Sequence, residues 1–288
     1  MNILVTGAKG QLGLELQHLP QTEGANYFFT DVEDLDITNF DCVEKFVGEH
    51  KIKVVINCAA YTDVTKAEEE YDKTELINVQ AVANLSKVAK DNNIILVHIS
   101  TDYVFGGIHT NTPLKEEDTT NPQCVYGRTK CEGEQAILQS GCKHIIIRTS
   151  WLYSSYGNNF VKNILSLSQE EDSISVVYDQ VGTPTYARDL ALVIKMIIES
   201  ELIDKQGVYH FSNEGAISWY DFAKAIVELS GNKCNITPCK TEYFGSSVMR
   251  PHYSVLDKTK IKQTLGMSIP YWKESLKECL SEINGQQS

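Results

Sequence analysis

Five runs of contiguous apolar residues punctuate the first half of this chain: Ile3-Leu4-Val5, Tyr27-Phe28-Phe29, Val54-Val55-Ile56, Ile94-Ile95-Leu96-Val97 and Ile145-Ile146-Ile147. A strand with one wet face alternates apolar and polar residues, whereas unbroken apolar runs mark strands covered on both faces, as in parallel sheets. Between the runs lie stretches with helical spacing, such as Val79, Val82, Ala83, Leu85, Val88 and Ala89. Such spacing presents a single apolar stripe to a sheet. Strand and helix in strict alternation predict an α/β fold, a Rossmann-type doubly wound parallel sheet.

Past Trp151 the rhythm becomes irregular. The pattern predicts helices over 158–168, 188–201, 219–230 and 272–283 and strands over 174–178 and 208–211. The stretch 232–254 is polar and helix-poor. With 288 residues there is room for a large domain and a smaller partner. The expected division assigns 1–150 and 174–206 to a dinucleotide-binding domain. It assigns 151–173 and 207–288 to a smaller C-terminal α/β lobe over the carboxyl ends of the strands, with some segments returning to complete the sheet.

Lys plus Arg number 26 against 38 Asp plus Glu, a formal charge of −12. That balance argues against nucleic acid or an anionic membrane as partner, while leaving room for a local anion site. No segment approaches the roughly 18 uninterrupted apolar residues of a membrane span, and the opening residues do not form a signal peptide, so a cytoplasmic protein is expected. Eight scattered cysteines without a CxxC pair suit reduced, structural thiols.

Directly after the first run comes Gly7-Ala8-Lys9-Gly10-Gln11-Leu12-Gly13, followed by a helical pattern. Glycines at a strand-to-helix turn let the backbone approach a pyrophosphate, which the helix N-terminus then stabilises. The GxxGxxG spacing is that of extended short-chain dehydrogenases/reductases. Asp31, about eighteen residues past Gly13, stands where a carboxylate would hold the adenosine ribose hydroxyls of NADH, and no Arg lies nearby to receive the 2′-phosphate of NADPH. Lys9 could contact such a phosphate, so NADPH stays open beside NADH.

Tyr126-Gly127-Arg128-Thr129-Lys130 forms a YxxxK pattern at the start of a helical segment, which puts Tyr126 and Lys130 on one face. An ammonium beside a phenol would draw its pKa down from the ordinary value of about 10 toward the working range of an acid–base catalyst. Ser100-Thr101-Asp102 follows the fourth apolar run, where the Thr101 hydroxyl would reach a substrate carbonyl. His98, His144 and His210 lie in or beside apolar strands and read as packed residues rather than catalysts.

On these motifs, and on Asn57-Cys58-Ala59-Ala60-Tyr61-Thr62, Ser100-Thr101-Asp102-Tyr103-Val104-Phe105, Arg148-Thr149-Ser150-Trp151-Leu152-Tyr153, Gly157-Asn158-Asn159-Phe160, Gly182-Thr183-Pro184-Thr185 and Arg250-Pro251, the chain resembles the dTDP-4-dehydrorhamnose reductases over nearly its whole length. The resemblance implies reduction of dTDP-4-dehydro-β-L-rhamnose by NADH or NADPH, with Tyr126 as proton donor, Lys130 on the nicotinamide ribose and Thr101 at the 4-keto group. It implies cofactor contacts from Gly7, Gly10, Gln11, Leu12, Gly13, Asp31, Asp36, Ile37, Ala59, Ala60, Tyr61 and Thr62. Contacts to the nucleotide sugar are implied for Asp102, Tyr103, Val104, Trp151, Asn159 and Arg250. Some relatives dimerise through a metal held by carboxylates; Glu15 matches one ligand, but Arg188 stands where another is wanted, so Mg²⁺ is possible and not expected to be required. Either a monomer or a homodimer fits. Two other readings stay open: another nucleotide-sugar 4-ketoreductase or an epimerase, and a non-catalytic nucleotide-binding subunit like that regulating methionine adenosyltransferase.

Overall fold

The computed structural model describes residues 1–20, 23–108, 110–245 and 248–286. Its strands are β1 (Asn2–Thr6), β2 (Asn26–Thr30), β3 (Val54–Asn57), β4 (Ile95–Thr101), β5 (Lys143–Thr149), β6 (Leu152–Tyr153), β7 (Ser173–Val177), β8 (Val181–Gly182), β9 (Thr185–Tyr186), β10 (Gly207–His210), β11 (Ile217–Ser218) and β12 (Asn235–Cys239). Its helices are α1 (Gln11–His18), α2 (Phe40–Glu49), α3 (Tyr71–Glu75), α4 (Ala81–Asp91), α5 (Val125–Ser140), α6 (Phe160–Glu170), α7 (Ala187–Ile198), α8 (Trp219–Ser230), α9 (Thr259–Leu265) and α10 (Trp272–Gln286). Among the described residues, six strands form one parallel sheet in the order β10-β5-β4-β3-β1-β2. This is the doubly wound arrangement that the apolar runs predict.

Successive residues of each central strand feed opposite faces. Ile3, Val5, Ile56, Val97 and Ile147 pack with Leu12 and Leu16 of α1 and Leu190, Ile194 and Ile197 of α7. Leu4, Val55, Leu96 and Ile146 pack on the other side with Val43 and Val47 of α2, Leu85 and Val88 of α4 and Ile137 of α5. Successive apolar residues of β1, β3 and β5 therefore have a covered place on one face or the other, while Tyr27, Phe28 and Phe29 of the edge strand β2 are only partly buried.

A second core gathers Tyr153, Val161 of α6, Phe222 and Ile226 of α8, and Trp272 and Leu276 of α10. Around it lie short ladders, β7 with β12, β8 with β11, and β6 with β9. Two segments depart from the expected division. Residues 174–177, placed by sequence with the sheet-bearing part, pair instead with β12 in this second body. Residues 207–210, placed with the smaller lobe, are the sixth strand of the main sheet, because Gly207 to His210 align with Ile145 to Arg148 of β5. Strand β12 lies in the stretch read as irregular; it contains Pro238, which a two-stranded edge pairing tolerates.

Candidate active site

A cleft of about 840 Å³ runs along the carboxyl ends of β1, β3 and β4 and is closed on the other side by residues following β5 and by α8. Its floor at one end is the glycine turn. Gly7 has φ +65°, and a Cβ there would sit 2.6 Å from the Ala59 nitrogen. A Cβ on Gly13 would sit 2.5 Å from the Gly7 oxygen and 2.6 Å from the Ala8 Cα. These two glycines let α1 start hard against β1. Gly10 occupies the N-cap without a side-chain cap, and the first turn of α1 carries no acid, so its amide donors face the cleft unopposed by carboxylate. That is the cradle a pyrophosphate needs, and the residues present fit a dinucleotide.

Gln11, Leu12, Asp31, Asp36, Ile37, Ala59, Ala60 and Thr62 line the same cleft with the three glycines. The Asp31 carboxylate accepts from the Lys9 and Val32 amides, both at 2.9 Å, and so ties the glycine turn to the end of β2. Lys9 itself pairs with Glu33 at 2.8 Å. Tyr61 differs from expectation. Its hydroxyl reaches Glu70 at 3.1 Å and its ring lies beneath Lys73, so its side chain turns away from the cleft lining. The Tyr61 backbone is pinned by Asn78, which accepts from its amide at 2.9 Å and donates to its carbonyl at 3.1 Å and to Thr129 at 3.2 Å. Asn78 was not foreseen; a polar residue on an otherwise apolar helical stripe is its only trace in the sequence.

Thr101 ends β4, and its hydroxyl accepts from the Tyr103 amide at 3.2 Å, which starts the turn Asp102–Phe105. Helix α5 begins just after Cys124, whose sulfur accepts from the Gly127 amide, and this puts Tyr126 in the first turn and Lys130 one turn on. Thr101, Asp102, Tyr103, Tyr126 and Lys130 all line the cleft. Burial raises the Tyr126 phenol above its ordinary range, against a hydrogen bond with Thr101 that acts to lower it. The expected lowering by Lys130 is absent. Loss of solvent dominates, and the Lys130 ammonium turns to the Ile99 carbonyl at 2.7 Å and the His98 Nε2 at 3.3 Å. Burial lowers Lys130 to about 8, opposed chiefly by Glu134. Asp102 is raised to about 6 by burial, against hydrogen bonds from Ser254 and Thr101, and among the described residues its Oδ2 meets no hydrogen-bond donor.

Toward the second body the cleft is lined by Trp151, Asn159, Trp219 and Arg250. Trp151 stacks on Trp219 at 3.6 Å between ring centroids and 10° between planes. The Asn159 amide caps α6 and donates to Gln11 at 3.0 Å, which joins the second body to the glycine turn. Arg250 donates to the Tyr103 hydroxyl at 3.3 Å. Trp219 escaped the sequence reading, since its stacking depends on the packing of α8. Val104 is a further correction. It is fully buried with Phe105, Leu114 and Leu256 and does not line the cleft, because the turn after Thr101 points it inward.

Glu15 is buried, accepts from Ser154 Oγ at 2.5 Å, and feels the charge of Arg188, which pairs with Glu282. Among the described residues of this chain no three His, Cys, Asp or Glu side chains gather as a metal site.

The model of the RmlD substrate binding domain family matches residues 1–284. The chain is 41% identical over 285 residues to a dTDP-4-dehydrorhamnose reductase of Aggregatibacter actinomycetemcomitans, covering 96% of this chain and 97% of that one. Among solved structures, a dTDP-4-dehydrorhamnose reductase of Clostridium acetobutylicum superposes with a TM-score of 0.94 at 45% identity, over 99% of this chain and 100% of the other. The dTDP-4-dehydrorhamnose reductase of Bacillus anthracis, solved with NADP, gives 0.93 at 39% identity, over 98% and 99%. With the glycine cradle, the Thr101, Tyr126 and Lys130 grouping and this likeness from end to end, the chain belongs to the dTDP-4-dehydrorhamnose reductase family.

Proposed function

We propose that this chain reduces dTDP-4-dehydro-β-L-rhamnose to dTDP-β-L-rhamnose with NADH or NADPH, as a cytoplasmic enzyme of dTDP-L-rhamnose biosynthesis. The observation that carries the reading is the meeting of Thr101, Tyr126 and Lys130 in one cleft with the glycine cradle. A dinucleotide whose pyrophosphate the cradle held would supply the hydride to the sugar carbonyl. Tyr126, kept protonated by burial, gives its proton to the oxygen as it becomes an alkoxide, a far stronger base than a phenolate. Thr101 shares that developing charge through a hydrogen bond, and Lys130 orients the ribose. The Trp151–Trp219 stack and Arg250 are assigned to the nucleotide sugar, the guanidinium suiting a diphosphate. The main sheet then serves the dinucleotide and the second body the sugar nucleotide.

The test is oxidation of NADH or NADPH with dTDP-4-dehydrorhamnose generated in place. Tyr126→Phe should lower kcat about 10²- to 10⁴-fold while NADH still binds. Turnover retained in that variant overturns the assignment of the proton donor. Cofactor retained through purification with no net consumption would favour an epimerase, and no turnover on a panel of nucleotide sugars a non-catalytic subunit.

A further inference from the structure

A row of buried polar side chains crosses strands β1, β3 and β4. Thr6 is the register partner of Asn57, and Asn57 of His98. All three side chains are buried, His98 and Asn57 completely. They are joined in series. Thr6 Oγ1 donates to Asn57 Oδ1 at 2.7 Å, the Asn57 amide nitrogen faces His98 Nδ1 at 3.0 Å, and His98 Nε2 faces Lys130 Nζ at 3.3 Å. Lys130 is itself buried, and its other hydrogen bond goes to the Ile99 carbonyl. Two of its three N–H bonds thus have partners in the protein and the third is left for the cleft.

A neutral imidazole has one donor nitrogen and one acceptor nitrogen, so the two ends of this row cannot be set independently. With Asn57 donating to Nδ1, the ring proton is on Nε2 and faces Lys130, which must then accept as a neutral amine. If Lys130 is an ammonium it donates to Nε2. The ring proton then sits on Nδ1 and is accepted by Asn57 Oδ1, with the amide turned over so that its nitrogen donates to Thr6. We propose that His98 is a positioning residue for Lys130, its tautomer exchanging with the Asn57 amide so that the buried ammonium always has an acceptor beside Ile99. His98 touches no reacting atom. It acts by holding the lysine and by setting the pH at which the lysine loses its proton. The other charged or titratable groups acting on Lys130 are the Cys58 thiol from beyond β3 and Glu134 one turn on in α5, and Tyr126, one turn back, lines the same cleft. Burial raises both the thiol and the phenol, so neither is ionised where the lysine titrates, and Glu134 is held by Arg148. The alkaline limb is accordingly assigned to Lys130, which the two-tautomer row touches directly.

The role given to Lys130 rests on the reductase reading, so the test has one arm without turnover. In the holoenzyme with [¹⁵N]histidine and NADH bound, the His98 signals, assigned by their loss in His98→Gln, should switch from the Nδ1–H to the Nε2–H tautomer between about pH 6 and about pH 9.5. One tautomer throughout overturns the proposal whatever the substrate is. In the coupled assay, His98→Leu removes the acceptor, and the alkaline limb of kcat/KM should move down by about one pH unit, roughly a tenfold loss above the limb and little below it. His98→Gln, whose amide oxygen can take the place of Nε2, should restore the limb. An equal loss at every pH in His98→Leu, or no rescue by His98→Gln in a folded variant, reduces His98 to packing and refutes the role.

Discussion

Replacing a helical glycine by alanine ordinarily stabilises an exposed helix by about 1 kcal/mol, because glycine loses more backbone entropy. At Gly13 the sign should reverse. Its Cβ would lie 2.5 Å from the Gly7 oxygen and 2.7 Å from the Ala8 oxygen, both backbone atoms of the same turn, with no flexible side chain to give way. Relief requires α1 to back away from β1 by about 1 Å, and overpacking of that kind costs about 1–3 kcal/mol. Gly48 supplies the control: it is exposed near the end of α2, and its Cβ would meet nothing within 4 Å. Urea denaturation should therefore show Gly48→Ala gaining about 1 kcal/mol and Gly13→Ala losing up to about 2 kcal/mol net. Because the same shift moves the first amides of α1 off the pyrophosphate, NADH affinity measured by fluorescence titration should fall about tenfold in Gly13→Ala, in line with about 1 kcal/mol or more at a helix N-terminus. It should be unchanged in Gly48→Ala. A Gly13→Ala protein as stable as Gly48→Ala, binding NADH like the parent, would refute the close-approach account of the turn.

Other outcomes follow from the same geometry. Asp102 is raised from 3.8 to about 6, so the folded state holds its proton longer than the unfolded state, and this group's contribution falls as pH rises from about 4 to about 6, by roughly 3 kcal/mol in all. Asp102→Asn should remove that slope and be more stable than the parent above about pH 6, with impaired turnover; unchanged pH dependence of the urea midpoint would contradict it. Arg148 and Glu134 form a buried two-pronged pair at 2.7 and 2.9 Å, so Glu134→Ala should cost about 3–5 kcal/mol, and Glu134→Leu with Arg148→Met should recover much of it in thermal unfolding. At the adenosine end Lys9 is taken by Glu33, with Asp31 and Asp34 beside it, so kcat/KM should favour NADH over NADPH, and Glu33→Lys should narrow the ratio. A parent enzyme that prefers NADPH would count against that account.

What the sequence made legible was whatever depends on local pattern. The apolar runs became β1 to β5 because a strand buried on both faces has no place for a polar alternation, and Ile3, Leu4 and Val5 show all three positions in use. The glycine turn and the YxxxK helix were legible for the same reason, their geometry being set within a few residues. Partners far away in sequence decided what was missed. Strand β12 exists because Ser173 to Val177 pair with it, and Trp219 joins the cleft because Trp151 lies under it. Val104 and Tyr61 look like their neighbours in a motif, but one turns into the core and the other toward Glu70. The direction of the Tyr126 shift depends on how much water is excluded, which no spacing encodes.

The acidic balance of the chain bears on how two anionic ligands could bind. Among the charged residues described along the cleft, Lys73, Lys130 and Arg250 face Asp31, Asp36 and Asp102, so the lining has no excess of either sign. Attraction by a broad positive field is therefore not the device. Charge is handled locally instead. The uncapped first turn of α1 offers amides without a carboxylate competitor, and Asp31 is occupied by the Lys9 and Val32 amides, which holds the turn in place as well as marking the ribose end. Lys130 is buried, where a single charge is screened least, and it lines the cleft. Oriented donors of this kind discriminate by position rather than by total charge, which is what a site must do to place a carbonyl carbon, a nicotinamide and the Tyr126 hydroxyl within reach of one another.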